Sequence, residues 1–178
     1  MAAMTVIDHT EIGAGGTAYW EETSIPTDGT YDHLLIRASL RGEYAGRYYV
    51  SMSLTVNSIT SAVYSTTSVY ASSGTPTNTR EAARARMVNV EWPANDALAD
   101  TFGPVEILIP HYANTANFKP FIMKFGSPNN ATDSQWLTGM TAGLYNQTTA
   151  ISSIKIASGY ADDFEQYSTF TLYGITGA

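Results

Sequence analysis

The chain is poor in charge and contains no cysteine. Lys, Arg, Asp and Glu make up 14% of its 178 residues, against about 25% in an average soluble protein. The absence of cysteine excludes a disulfide framework and a cysteine nucleophile. No stretch approaches the ~20 consecutive apolar residues of a membrane-spanning helix. The first 18 residues lack the basic and apolar regions of a signal peptide, so we expect none there.

Small hydroxyl residues take the place of charge. The chain holds 16 Ser and 23 Thr, together with 12 Tyr and 14 Gly. A helical bundle requires Ala, Leu, Glu and Lys instead, whereas this mixture is typical of many short β-strands joined by turns. A hydrophobic fraction of 44% is enough for a core, and the length favours one domain.

The net charge of −7 and the pI of about 4.7 argue against nucleic acid or an anionic membrane as a partner. No Lys or Arg precedes Arg37, and the segment before it holds six acids: Asp8, Glu11, Glu21, Glu22, Asp28 and Asp32. Two interpretations stay open, a solvated edge strand and an acidic arm that docks on a basic neighbour. We therefore divide the chain into residues 1–25, an N-terminal acidic arm or edge segment, and residues 26–178, a β-sandwich domain. Deletion of the arm is expected to leave a folded sandwich.

Alternation of apolar and polar residues predicts strands. It is clearest in Arg47–Asn57, where Val50, Met52, Leu54 and Val56 alternate with hydroxyl or amide residues. Further strands are predicted in Tyr31–Arg41, Pro104–Pro110, Asn117–Phe125, Trp136–Tyr145, Ala150–Ala157 and Tyr167–Ile175. Only Arg80–Met87 fits one or two helical turns. These patterns predict an all-β, antiparallel sandwich of about nine or ten strands.

The sequence marks no catalytic or metal-binding residue. His9, His33 and His111 have no metal-ligand spacing, and the acidic loop around Asp162 lacks the residue order of a Ca²⁺ loop. There is no G-x-S-x-G motif and no phosphate loop. We predict no enzyme, no metal and no cofactor. A carbohydrate-active enzyme is a further hypothesis, and a pair of facing carboxylates in a groove would support it.

The candidate site is an interface. Aromatic side chains exceed what a small sandwich must bury, and although most of them should fill the core, Tyr49 falls on the hydroxyl face of its strand and favours an interface. The only basic cluster lies at positions 80–86. The candidate interface residues are Asp8, Glu11, Tyr19, Trp20, Glu21, Tyr49, Arg80, Arg84 and Arg86.

Three segments are distinctive as a set: Tyr31–Arg41, Val105–Tyr112 and Ser168–Ile175. Their order and spacing resemble those of small virion structural proteins of tailed bacteriophages, over roughly residues 25–178. That family usually ends in a Phe, a short Gly-containing turn and Ser-x-Phe-x-Leu-Tyr-Gly. Phe164 and Ser168–Ile175 match this ending, whereas Tyr167 stands where Gly is usual.

The resemblance implies a jelly-roll sandwich that is a particle component. Such proteins occur as capsid decoration (cement) proteins or as tail- and fibre-associated domains, and they commonly form trimers. We expect a decoration protein on the outside of the head, because the chain has no repeat or heptad shaft that would project a fibre tip. The expected partners are the major capsid protein or other virion proteins, and the expected location is the virion, after synthesis in the host cytoplasm. The alternative is a receptor- or glycan-binding domain at the tail.

Overall fold

A computed structural model describes residues 3–129 and 135–177, whose regular structure is entirely β. The all-β prediction is confirmed, with twelve strands instead of nine or ten. The strands are β1 (Ala3–Glu11), β2 (Tyr19–Glu22), β3 (His33–Leu40), β4 (Tyr49–Val56), β5 (Tyr64–Ser72), β6 (Thr75–Arg84), β7 (Glu91–Pro93), β8 (Gly103–Pro110), β9 (Lys119–Ser127), β10 (Leu137–Tyr145), β11 (Ile154–Ser158) and β12 (Thr169–Thr176).

Two antiparallel sheets form a jelly roll. The larger sheet has the order β1-β12-β3-β8-β9-β10-β5-β6, and the smaller has the order β2-β11-β4-β7. Four pairs are nested along the chain, because β4 pairs with β7, β3 with β8, β2 with β11 and β1 with β12. The nested pairs alternate between the sheets, which is the winding of an eight-stranded jelly roll.

Two inserted hairpins account for the four additional strands. The β5–β6 hairpin lies between β4 and β7 in sequence, and the β9–β10 hairpin lies between β8 and β11. Both add to the larger sheet beyond β8. The helical prediction for Arg80–Met87 is wrong, because residues up to Arg84 belong to β6 and pair with β5 along nearly its whole length.

The core lies between the sheets and is crossed by a chain of aromatic rings. Trp92 on β7 contacts Phe164, which lies edge-on to Phe170 of β12, and Phe170 stacks on Trp20 of β2. The alternation predicted for β4 is confirmed, since every second side chain is buried. Tyr64, Trp92 and Tyr145 are among the aromatic side chains that fill the core.

Arg41 is a buried arginine that orders the connection between β7 and β8. Its guanidinium donates hydrogen bonds of 2.9–3.3 Å to four carbonyl oxygens, those of Leu98, Thr101, Asn95 and Ala97. Its Nε lies 2.5 Å from a carboxylate oxygen of Glu165. A charged group that is 3% exposed is tolerated here because four carbonyls accept from its terminal NH groups and a carboxylate lies beside its charge.

The turn before β12 contains a tyrosine with an unusual backbone conformation. Tyr167 has a φ of 72°, in the left-handed region that favours glycine. Its amide donates to the carbonyl of Ile12 at 2.9 Å, which ties this turn to the end of β1. A tyrosine therefore occupies a backbone conformation that glycine adopts without strain.

Candidate functional site

The surface of the larger sheet that faces away from the core carries a continuous apolar row. We call this surface the outer face. Pairing registers align one residue from each of six neighbouring strands, namely Val6, Tyr173, Leu35, Leu108, Ile122 and Ala142. The inserted β9–β10 hairpin lengthens the row, because its two strands extend it beyond the jelly roll. A row of this kind on the solvent side of an antiparallel sheet is unusual, since that side is normally polar.

Large exposed hydrophobic side chains are concentrated on the outer face. Six of the eleven in the described part of the chain lie there: Met4, Val6, Val69, Ile122, Met140 and Leu144. Their exposure runs from 36% to 56%. Single exposed apolar residues need no explanation, but a contiguous group marks a surface that binds another molecule.

At the centre of the outer face, two cations share one carboxylate, which leaves a net charge of +1. Glu106 of β8 accepts from Arg37 Nε at 3.3 Å and from Lys124 Nζ at 3.2 Å. The hydrogen bond from Lys124, with that from Arg37, lowers the pKa of the Glu106 carboxyl. A groove of about 570 Å³ lies beside this triad and is lined by Ala38, Pro104 and Phe125 among others. The triad leaves the central strands without strong charge of one sign.

The residues predicted in the N-terminal segment have different positions. Trp20 is a core residue, which corrects its assignment to an interface: its ring stacks on Phe170 and its Nε1 donates to Asp8 at 3.0 Å. The Asp8 carboxylate therefore accepts a hydrogen bond from a core residue of the same molecule. Glu11, Tyr19 and Glu21 line a groove of about 470 Å³ between the ends of β1 and β2.

The segment 1–25 supplies one edge strand of each sheet. β1 borders β12 in the larger sheet, and β2 borders β11 in the smaller. Lys155 of β11 lies opposite Glu21, and its ammonium is 3.4 Å from the centroid of the Tyr19 ring. Ile12 and Ile25 are buried in the core. The segment is thus integrated into the fold of the monomer.

The remaining predicted residues lie apart from these. Tyr49 is half-buried on β4 and packs against the core. Arg80 and Arg84 are exposed on β6, where Arg84 Nε donates to Glu81 at 2.7 Å, and Arg86 is exposed just beyond it. The nine residues therefore form no single patch. The strand pattern does not reveal the outer face, because Leu35 and Leu108 occupy positions that alternate with the core residues and lie beside polar neighbours such as Arg37 and Glu106 on the same side.

Two tyrosine rings, exposed Tyr160 and half-buried Tyr44, pack around the exposed Arg47. The guanidinium carbon lies 4.7 Å from the centroid of the Tyr160 ring and 6.0 Å from that of Tyr44. Beside it, Tyr48 and Tyr49 help to line a mainly polar groove of about 440 Å³. The tyrosine-rich sequence 44–49 was the available signal, but its contact with Tyr160 required the fold.

Two of the three histidines meet in space. His33 and His111 have ring centroids 4.8 Å apart, and His33 Nδ1 accepts from the amide of His111 at 3.1 Å. Within residues 3–129 and 135–177, no group of three or more His, Cys, Asp or Glu side chains could hold a metal ion. The same residues contain no helix long and apolar enough to cross a membrane.

One acid has a strongly shifted pKa. Glu91 of β7 is half-buried, and this burial raises the pKa of its carboxyl to about 7. Ser51 Oγ, which donates to it at 3.5 Å, opposes the shift. The shift is explained by desolvation of the charged form.

These features define the class of the molecule as a jelly-roll protein with an apolar outer sheet face. Comparison of the chain with protein-family models, with curated proteins and with solved structures found no match.

Proposed function

We propose that the protein is a virion structural protein of a tailed bacteriophage, a homotrimeric decoration protein that binds the outside of the head. The outer face of the larger sheet is the docking surface, and the major capsid protein is the partner. Binding of this kind stabilises the head by bridging neighbouring capsid subunits. The protein acts without catalysis or a cofactor.

The single observation that supports this function best is the apolar row of the outer face. Its exposed hydrophobic side chains become buried when the face lies against another protein, and both cations of the triad are already paired with Glu106. The phage assignment itself rests on the resemblance of the three segments that end in Ser168–Ile175. A low charge content is consistent with a surface that is largely covered after assembly.

A charge placed on the outer face tests the proposal. Met140 lies on this face and Leu98 lies off it, in the connection between β7 and β8, yet each side chain is 45% exposed. We expect Met140→Glu to weaken binding to expanded, undecorated heads by at least tenfold, and Leu98→Glu to bind like the wild type. Equal binding by both variants, with the fold retained by circular dichroism, would rule out docking through the outer face.

Deletion of residues 1–25 is not a clean test of an arm. The truncated sandwich is instead expected to be destabilised, because the deletion removes one edge strand from each sheet and the buried side chains of Ile12, Trp20 and Ile25. Loss of head binding would then report unfolding. Point substitutions at exposed positions avoid this difficulty.

The aromatic group at Arg47 favours a second candidate function, glycan binding by a tail-associated domain. Exposed tyrosine rings stack on sugar faces, and an arginine beside them can donate to hydroxyl groups. A glycan array with the multivalent protein tests this function. Binding that is lost in Arg47→Ala and Tyr160→Ala but kept in Met140→Glu would support it, and absence of binding at high valency would count against it.

A further inference from the structure

The larger sheet ends in two long free edges. In the part of the chain that the structure describes, β1 is paired only with β12 and β6 only with β5, so each leaves one row of backbone N–H and C=O groups without a strand partner. The strands have nine and ten residues, longer than the usual five to six. The first four residues of each are exposed on both faces of the sheet. Such edges readily accept a further strand.

The directions of the two edges are compatible with each other. All neighbouring strands in this sheet are antiparallel. Because there are eight strands, β1 and β6 run in opposite directions. A second copy that continues the sheet in the same orientation therefore places its β1 antiparallel to β6 of the first copy. No inversion of either molecule is needed.

The charges of the two edges are complementary. Glu11 ends β1 and lies opposite Thr169, whereas Arg80 lies in β6 opposite Thr67, and both side chains are on the outer face. Neither forms an ion pair within residues 3–129 and 135–177. Arg86 adds positive charge just beyond β6, while Arg84 is paired with Glu81 of the same strand. Across the sheet, the registers align Arg80 with Val6, so Glu11 of one copy faces Arg80 of the next when the junction is shifted by about four residues, two outer-face positions. Pairing of β1 with β6 at that register brings opposite charges together, whereas pairing of one edge with its own kind would bring like charges together.

We propose that β1 of one copy pairs with β6 of the next, so that identical subunits join head to tail through a continuous larger sheet. The occupant of each free edge is thus a second copy of this chain. A head-to-tail interface closes into a ring when the rotation between subunits permits it. The inference deepens the homo-oligomer of the proposed function and does not depend on head binding.

Charge reversal and its rescue test the interface. We expect the full-length protein to form a discrete oligomer by native mass spectrometry and light scattering. Arg80→Glu alone, or Glu11→Lys alone, should weaken assembly by about tenfold or more, because each creates like charges at every junction. The double variant should restore assembly, since each junction then carries the same pair reversed. Asp100→Lys, a charge reversal at an exposed residue in the connection between β7 and β8, should have no effect.

The outcomes separate this interface from the proposed function. A monomeric wild type, single variants that assemble normally, or a double variant that fails to recover would each overturn the interface, provided circular dichroism shows that the variants are folded. A monomer that still binds heads would overturn the interface and leave head decoration supported. A rescued oligomer that does not bind heads would support the interface and contradict head decoration.

Discussion

Replacement of Arg41 by Met should be among the most damaging single changes to this fold. Methionine keeps much of the aliphatic stem but removes the guanidinium. Four carbonyl oxygens of residues 95–101 then lose their donor, and Glu165 loses its ion-pair partner. The cost falls on the folded state alone, because the unfolded chain hydrates all of these groups.

The expected loss follows from the burial of Arg41. A buried acceptor left without a donor costs about 1–3 kcal/mol, and removal of one partner of a buried ion pair costs about 3–5 kcal/mol. Water can reach the partly exposed Glu165 and some of the carbonyls, so these costs do not add. We expect Arg41→Met to lower the free energy of unfolding by about 3–5 kcal/mol. Arg41→Lys should lose less, because it keeps the charge and three of the donors.

Arg37→Met is the matched control, measured by urea unfolding at constant pH. Arg37 lies four residues earlier, and its side chain is 55% exposed with an ion pair to Glu106. An exposed pair of this kind is worth about 0.2–1 kcal/mol, so the control should lose no more than that. If Arg41→Met and Arg37→Met lower the free energy of unfolding equally, the structural role given to Arg41 is wrong.

Three further changes test other parts of the structure. Because the folded carboxyl of Glu91 keeps its proton up to about pH 7, the stability of the protein should fall as pH rises from 4.5 to 7. Glu91→Gln should be more stable than the wild type at pH 8 by up to about 3 kcal/mol, but similar to it at pH 4.5. Parallel pH profiles of the two proteins would contradict this. Tyr167→Gly should raise the urea midpoint by the equivalent of about 1 kcal/mol in the free energy of unfolding, because it relieves the positive φ at this position. A lower midpoint would contradict the idea that Tyr167 is strained. Gly174→Ala should destabilise by about 1–3 kcal/mol, because its Cβ would lie 2.3 Å from the Tyr31 ring, and an unchanged melting temperature would contradict that packing.

The strands of the central jelly roll could be predicted because their pattern is local. Half-buried antiparallel strands alternate with a period of two, and β4 and β8 show this along the chain, whereas β3 departs from it because Leu35 is buried as well as Leu34 and Ile36. β6 could not be predicted in this way, because nearly all of its residues are exposed and it has no apolar alternation. Its Arg, Glu and Ala residues favour a helix by intrinsic propensity, and pairing with β5 overrides that preference.

The candidate site could be predicted only in part. Glu11 and Arg80 were identified from charge alone, and the structure places them on opposite edges of one sheet. Trp20 was assigned to an interface, but the stacking on Phe170 that buries it involves residues 150 positions apart. Tyr64 and Trp92 show the same limit, since nothing in a sequence distinguishes a surface aromatic from one that fills the space between two sheets.

The amino-acid sequence by itself determined the β class, because composition and alternation act over a few residues. It also determined where charge is scarce and where it is concentrated. Only the tertiary structure decided which strands pair, and hence that Leu35, Leu108 and Ile122 form one row and that β1 and β6 are free edges. The physical reason is that strand pairing joins segments far apart in the chain, and a shift of one residue in register would exchange the two faces of each strand.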